Sequence, residues 1–139
     1  MTFRNAAIIS ISVALLAGAT MPAAAGSTVV TKAELKWKDM GNGVSAAPVS
    51  GDMEKGASRF FLKYPVGLVT PVHHHDADHY VTVVSGAIIL TAEGKEYKLG
   101  PGAYFALTAK APHTVKVEGK EPAVFFVQAD GPWNVVGEK

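Results

Sequence analysis

Four of the five histidines in this chain fall in one seven-residue stretch, His73-His74-His75-Asp76-Ala77-Asp78-His79. The fifth, His113, follows in Ala111-Pro112-His113. Neutral imidazole is the commonest protein ligand for a transition metal, so the spacing raises the question of whether the two segments meet around one ion. The chain contains no cysteine, which excludes thiolate ligands, disulfides and thiol chemistry. It also has no nucleophile with an adjacent base, no paired carboxylates and no phosphate-binding glycine loop, so the histidines are the residues best placed to do chemistry.

The elements that must position them read as strands. Short runs rich in Val, Ile, Phe and Tyr alternate with Gly, Pro or charged breaks, the pattern of a compact antiparallel β-protein. Strands are predicted at Arg59–Tyr64, His79–Ser85, Ala87–Ala92, Lys95–Leu99, Ala103–Leu107, His113–Glu118 and Ala123–Ala129, with a first one beginning at Thr28–Val30. Lys32–Met40 fits strand and helix equally well. Asn42-Gly43, Ser50-Gly51-Asp52 and Gly119-Lys120-Glu121-Pro122 carry turn chemistry, and Glu93-Gly94 predicts a tight hairpin. Seven or eight strands in about 100 residues imply a sandwich, jelly roll or small barrel.

Alternation then assigns faces. Lys116 and Glu118 belong in water, which turns His113, Val115 and Val117 inward, because successive side chains of a strand point to opposite faces. By the same parity His79 shares a face with Val81 and Val83. His73 and His75 share one if their segment is extended, with His74 pointing away. Four inward imidazoles in an apolar interior need partners, and one shared cation supplies them all at once. An ordinary hydrogen-bonded core histidine explains any one of them alone; it does not explain the set.

At these residues the chain resembles the cupins. Gly67, five residues, His73-x-His75, three residues, His79, six residues and Gly86 match the first cupin motif, with His79 where the family has Glu. Gly102, five residues, Thr108-x-Lys110-x2-His113 match the spacing of the second, with Thr108, Lys110 and Val117 in place of its Pro, Gly and Asn. The resemblance covers about Arg59 to Gln128, and the 15-residue gap at 87–101 is like that of small bacterial cupins. Ser50-Gly51-Asp52 and the Asp130-Gly131 ending look more faintly like the ChrR-like cupins. What the resemblance implies is an all-β, RmlC-like jelly-roll barrel with His73, His75, His79 and His113 on one divalent metal, open towards the barrel mouth, and pairing of two chains into a homodimer. All-nitrogen ligation suits Zn, Cu, Fe and Ni, cupins also take Mn, and the choice among them stays open. With His79 replacing the anionic ligand, the ion keeps its full charge, which predicts a preference for an anionic small-molecule guest.

Around this centre, Asp76 and Asp78 are either imidazole-orienting partners or a solvated acidic loop. Tyr64, Tyr104, Phe105, Phe126 and Trp133 are either pocket lining or plain core. Lys110 is either an anion contact or a surface turn.

Length and composition bound the rest. Arg4, then the apolar run Ala6 to Thr20, then Met21-Pro22-Ala23-Ala24-Ala25, read as a secretory signal peptide over residues 1–25. The apolar run is shorter than the roughly 20 residues a membrane span needs. Residues 26–139 then form a single domain, exported to the periplasm or beyond and free of the membrane after cleavage. Of 13 basic and 12 acidic residues, only Arg4 lies in the signal, so the mature balance is near zero; that argues against nucleic acid or anionic membrane as partner. Two functions fit: a metal-dependent oxygenase acting on a small enolisable or phenolic molecule, or a non-catalytic module that binds or senses a metal or small anion. Fold alone does not choose between them.

Overall fold

The computed structural model describes residues 25–139; all but the last residue of the signal reading lies outside the described residues. Eleven strands follow in chain order: β1 Lys38–Gly41, β2 Val44–Gly51, β3 Ser58–Tyr64, β4 His73–His74, β5 His79–Ser85, β6 Ala87–Ala92, β7 Lys95–Leu99, β8 Tyr104–Leu107, β9 His113–Glu118, β10 Ala123–Ala129 and β11 Val136–Gly137. They form two antiparallel sheets, ordered β1-β2-β3-β10-β5-β8 and β11-β4-β9-β6-β7. This is the predicted all-β jelly roll. No helix among the described residues is long and apolar enough to cross a membrane.

Period-two burial sets the core between the sheets. Phe60 and Leu62 of β3, Val81 and Val83 of β5, and Phe125 and Val127 of β10 meet Ile88 and Leu90 of β6 and Val115 and Val117 of β9. Their outward neighbours Tyr80, Thr82, Thr114 and Lys116 are half-buried or exposed.

Two glycine-containing turns give the chain its path. At Gly86 (φ +77) β5 of one sheet passes directly into β6 of the other. A side chain there would put its Cβ 2.4 Å from the Pro122 carbonyl oxygen, so only glycine fits this corner. Glu93-Gly94, with φ of 52 and 72, closes the β6–β7 hairpin as predicted.

The differences lie near the N-terminus. Thr28–Val30, where a first strand was predicted, is exposed and pairs with nothing in the described residues. Its β-prone composition is overruled because no sheet edge lies beside it. Lys32–Glu34 forms one 3-10 turn, and the strand begins only at Lys38. Between the predicted turns Asn42-Gly43 and Ser50-Gly51-Asp52 lies β2, whose Pro48 disguises it. β1 pairs with β2 only from Val44 to Ala46, so Pro48 sits beyond that ladder with one edge free, and the register with β3 shifts between Pro48 and Ser50.

Gly86→Ala is expected to destabilise the domain by about 2 kcal/mol or more, since it combines a left-handed backbone with a backbone clash. Urea unfolding of the two proteins measures this, and an unchanged midpoint would contradict the corner's role.

Candidate metal centre

The inward residues at one end of the strands are the histidines. His79 opens β5, opposite Ala129 of β10 and Leu107 of β8; His113 opens β9, opposite Ala92 of β6 and His73 of β4. His73, His75, His79 and His113 are all buried, at 2–4% exposure, and the last three line the interior cavity. Their rings gather closely: centroids are 4.3 Å apart for His73–His113, 5.1 Å for His73–His75, 4.7 Å for His75–His79 and 5.8 Å for His79–His113. His74 points out of the cluster, beside Glu138 and Asp76.

One ring nitrogen from each of His73, His75 and His113 lies within 4.8 Å of those from the other two. The backbone decides which nitrogen is free. Nδ1 of His73 donates to the Pro71 carbonyl at 2.8 Å, that of His113 to Ala111 at 3.0 Å, that of His79 to Ala77 at 3.2 Å, and that of His75 to Asn134. A carbonyl oxygen can only accept, so each Nδ1 carries a proton, and in the neutral ring Nε2 keeps its lone pair. Metal ligation needs that tautomer, with the second ring nitrogen tethered. Burial, reinforced by the neighbouring imidazoles, pushes His75 down to about 3 and His113 down to about 4, and lowers His79 below its usual value. The hydrogen bonds to Asn134, Ala111 and Ala77 oppose the shift without overcoming it. Neutral, dehydrated, tautomerically fixed nitrogens are the donor set of a divalent transition ion, and His73, His75 and His113 can hold one.

The acidic residues brace loops. Asp76 and Asn134 exchange two hydrogen bonds (Asp76 N–H to Asn134 Oδ1, 3.0 Å; Asn134 Nδ2 to Asp76 Oδ2, 2.6 Å), and Asp78 accepts the Ala109 N–H at 2.7 Å. Neither makes a hydrogen bond to a clustered imidazole, so main-chain carbonyls take the orienting role weighed for these carboxylates. The second motif keeps its shape despite its substitutions. Lys110 stands at the motif's glycine position with φ +66, and its N–H donates to the His75 carbonyl at 2.8 Å. Its side chain is exposed, in keeping with a surface turn.

The aromatic residues divide. Tyr64, Phe105 and Trp133 line the interior cavity beside His75, His79 and His113. Tyr104 is 60% exposed, and Phe126 packs against Phe61. The Trp133 indole stacks on the His75 ring (3.9 Å, 21°) and meets His79 edge-on at 5.3 Å. Burial raises the Tyr64 phenol to about 12, so it holds its proton at any ordinary pH. Asn134 went unrecognised in the sequence: it lies 59 residues from His75, and no local pattern marks it.

A two-sheet β-jelly-roll with a buried imidazole cluster at one end defines a class of small barrels able to hold a metal ion. The cupin domain model matches residues 60–128, and the chain belongs to the cupin superfamily. No curated protein matches the sequence. Among solved structures it is similar to KdgF from Halomonas sp. (23% identity, TM-score 0.64, covering 76% of this chain and 94% of that one). It is also similar to the polyketide cyclase RemF from Streptomyces resistomycificus (18%, 0.68, 82% and 87%). A third likeness is to salicylate 1,2-dioxygenase from Pseudoaminobacter salicylatoxidans in adducts with gentisate (20%, 0.57, 66% and 26%). At these identities the likeness establishes the fold and nothing finer.

Metal-free protein should lose stability as pH falls. Folded His75 and His113 protonate near 3 and 4, whereas the unfolded chain protonates them near 6.5. Below 6.5 the unfolded state therefore binds more protons, and stability drops until those folded values are passed. Melting temperatures at pH 7, 5.5 and 4.5 measure it. A flat profile in wild type, or an equally steep one in His75→Gln, would contradict this account.

Proposed function

We propose that this is an exported metal-binding cupin in which His73, His75, His79 and His113 together hold one divalent transition ion, and that it acts as an oxygenase on a small enolisable or phenolic molecule. The observation that carries the reading is the common tether: four buried imidazoles each spend Nδ1 on a main-chain carbonyl, which leaves four Nε2 lone pairs with no protein proton to accept.

Zn, Mn, Fe, Cu and Ni all suit this donor set, and oxygenase chemistry favours a redox-active one. When bound, such an ion supplies Lewis acidity towards an enolate or phenolate oxygen and the electron exchange that dioxygen chemistry requires. The chain's own residues do the rest. The carbonyls of Pro71, Ala77, Ala111 and Asn134 hold the rings in one orientation. Leu62, Val115, Phe125 and Val127 give the cavity apolar walls, and the neutral Tyr64 phenol can donate a hydrogen bond there. Four neutral ligands leave the ion its full charge, which favours an anionic guest. The likeness to a dioxygenase fold that accommodates gentisate is compatible with this class of ligand.

A non-catalytic reading also has an observation in its favour. The interior cavity is only about 30 Å³, on a measure where one water needs roughly 10–15 Å³. A module that holds an ion and a small anion without turnover needs no more room.

Oxygen uptake by the Fe, Mn, Cu and Ni forms against a panel of β-diketones and flavonols separates the two. An oxygenase consumes oxygen with at least one metal and substrate, and His75→Ala loses both that uptake and the bound metal. Inertness of every form would sink the catalytic reading and leave the binder. Export is tested by the N-terminal residue of protein recovered outside the cytoplasm: Gly26 is expected, and an intact Met1 would refute cleavage after Ala25.

A further inference from the structure

The cavity beside the histidines, at about 30 Å³, is too small for an organic molecule. On its other side lies a groove of about 570 Å³, within the size range of small-molecule sites. Leu62, Tyr64 and Trp133 line both spaces and so form the partition between them, and the groove reaches the cluster itself at His73. Its walls are apolar, drawn from Met40 and Val44 of the first hairpin, Leu68 and Val69, and Val135 of the C-terminal segment. Met40, Val69 and Val135 are more than half exposed.

The groove is built rather than incidental. Val117 N–H donates to the Leu68 carbonyl at 2.8 Å, Thr70 N–H to Val115 at 2.9 Å, and Thr70 Oγ1 accepts the Val115 N–H at 2.9 Å. These bonds lock the 68–70 segment against β9, the strand that carries His113. The opposite wall is held by Trp133 N–H donating to the Met53 carbonyl at 2.6 Å and by Glu138 N–H donating to Val72 at 3.0 Å.

No Lys, Arg, Asp or Glu lines this groove. An anion lying in it therefore has no cationic side chain to pair with and finds its countercharge only at the metal end, while the walls reward burial of an apolar body. We infer that this groove is the ligand site: it takes a small monoanion, a carboxylate or enolate, whose charged head reaches the metal past Trp133 and whose apolar body lies along Met40, Leu68, Val69 and Val135. Trp133, stacked on His75 and shared by both spaces, is the specificity-determining residue that sets how large a head can pass. The inference rests on the metal-site reading above and adds where the organic part of the ligand goes.

The test uses the full chain loaded with Co(II), in a Trp37→Phe background so that Trp133 is the only tryptophan. Acetate, butanoate, hexanoate and octanoate are titrated, with the cobalt visible spectrum reporting the head and Trp133 fluorescence reporting the body. Both signals are expected to respond. Affinity should rise about fourfold per added methylene until the groove is filled, the equivalent of about 0.8 kcal/mol per buried methylene. Val69→Asp and Val135→Asp, both at exposed rim positions, should abolish the gain in affinity with chain length.

Equal affinity along the series, with the cobalt band still shifted, overturns the groove and leaves the metal site standing. So does a full length dependence surviving in both rim variants. Chain-length quenching of Trp133 without any cobalt response overturns the anchoring of the head. Failure of the chain to take up Co(II) at all refutes the metal reading itself, and the inference falls with it.

Discussion

Four imidazoles lie in an apolar interior, and none can be left with an unmet polar atom there without a cost of about 1–3 kcal/mol. That constraint shapes this end of the molecule. Half of it is met by main-chain carbonyls, two of them two residues before the histidine in sequence for His73 and His79, a third likewise for His113, and one brought from Asn134 for His75. The tethers are local for three rings, so each of those segments arrives with its Nδ1 already engaged. Only His75 depends on a distant part of the chain, and it is also the ring whose pKa burial depresses to about 3.

The scaffold exists to deliver these rings to one place. His79 and His113 open strands that belong to different sheets, and they face each other because those two sheets pack face to face. Below them, the core residues Val81, Leu90, Val115 and Val127 bury the same strand faces in apolar contact. Stability and site thus share one set of inward positions, with the histidines occupying the last rung. That arrangement also explains why the bracing falls to Asp76 and Asp78: the loops at the strand ends lack a ladder, and side-chain hydrogen bonds to Asn134 and Ala109 take its place.

The C-terminal segment closes the site. β11 pairs with β4 at His73 and His74, Asn134 tethers His75 and Asp76, and Trp133 covers His75 and His79. One short stretch therefore orients a histidine, anchors a loop and divides the interior chamber from the outer groove. An indole stacked flat on a clustered imidazole limits approach from that side, so the size of any guest is a property of this segment as much as of the barrel.

The alternation in His79–Ser85, His113–Glu118 and Ala123–Ala129 was enough to place those strands and turn their histidines inward, because side-chain parity is a local property of extended backbone. The spacing of Gly67, His73, His75, His79 and Gly86 was likewise legible, whereas the positive φ of Lys110 was not. The strand read at Thr28–Val30 and the one missed at Val44–Gly51 were not, since pairing depends on whether a neighbouring edge exists, which no short stretch records. The strand pattern alone established an antiparallel β-protein with four inward imidazoles, and the resemblance to the cupins added the jelly roll. Which carbonyls hold them, that Asn134 and Trp133 come back to cover them, and that the interior is a water-sized chamber beside a larger apolar groove were decided only in three dimensions. These features arise between segments far apart along the chain, and only packing brings them within hydrogen-bonding and van der Waals reach.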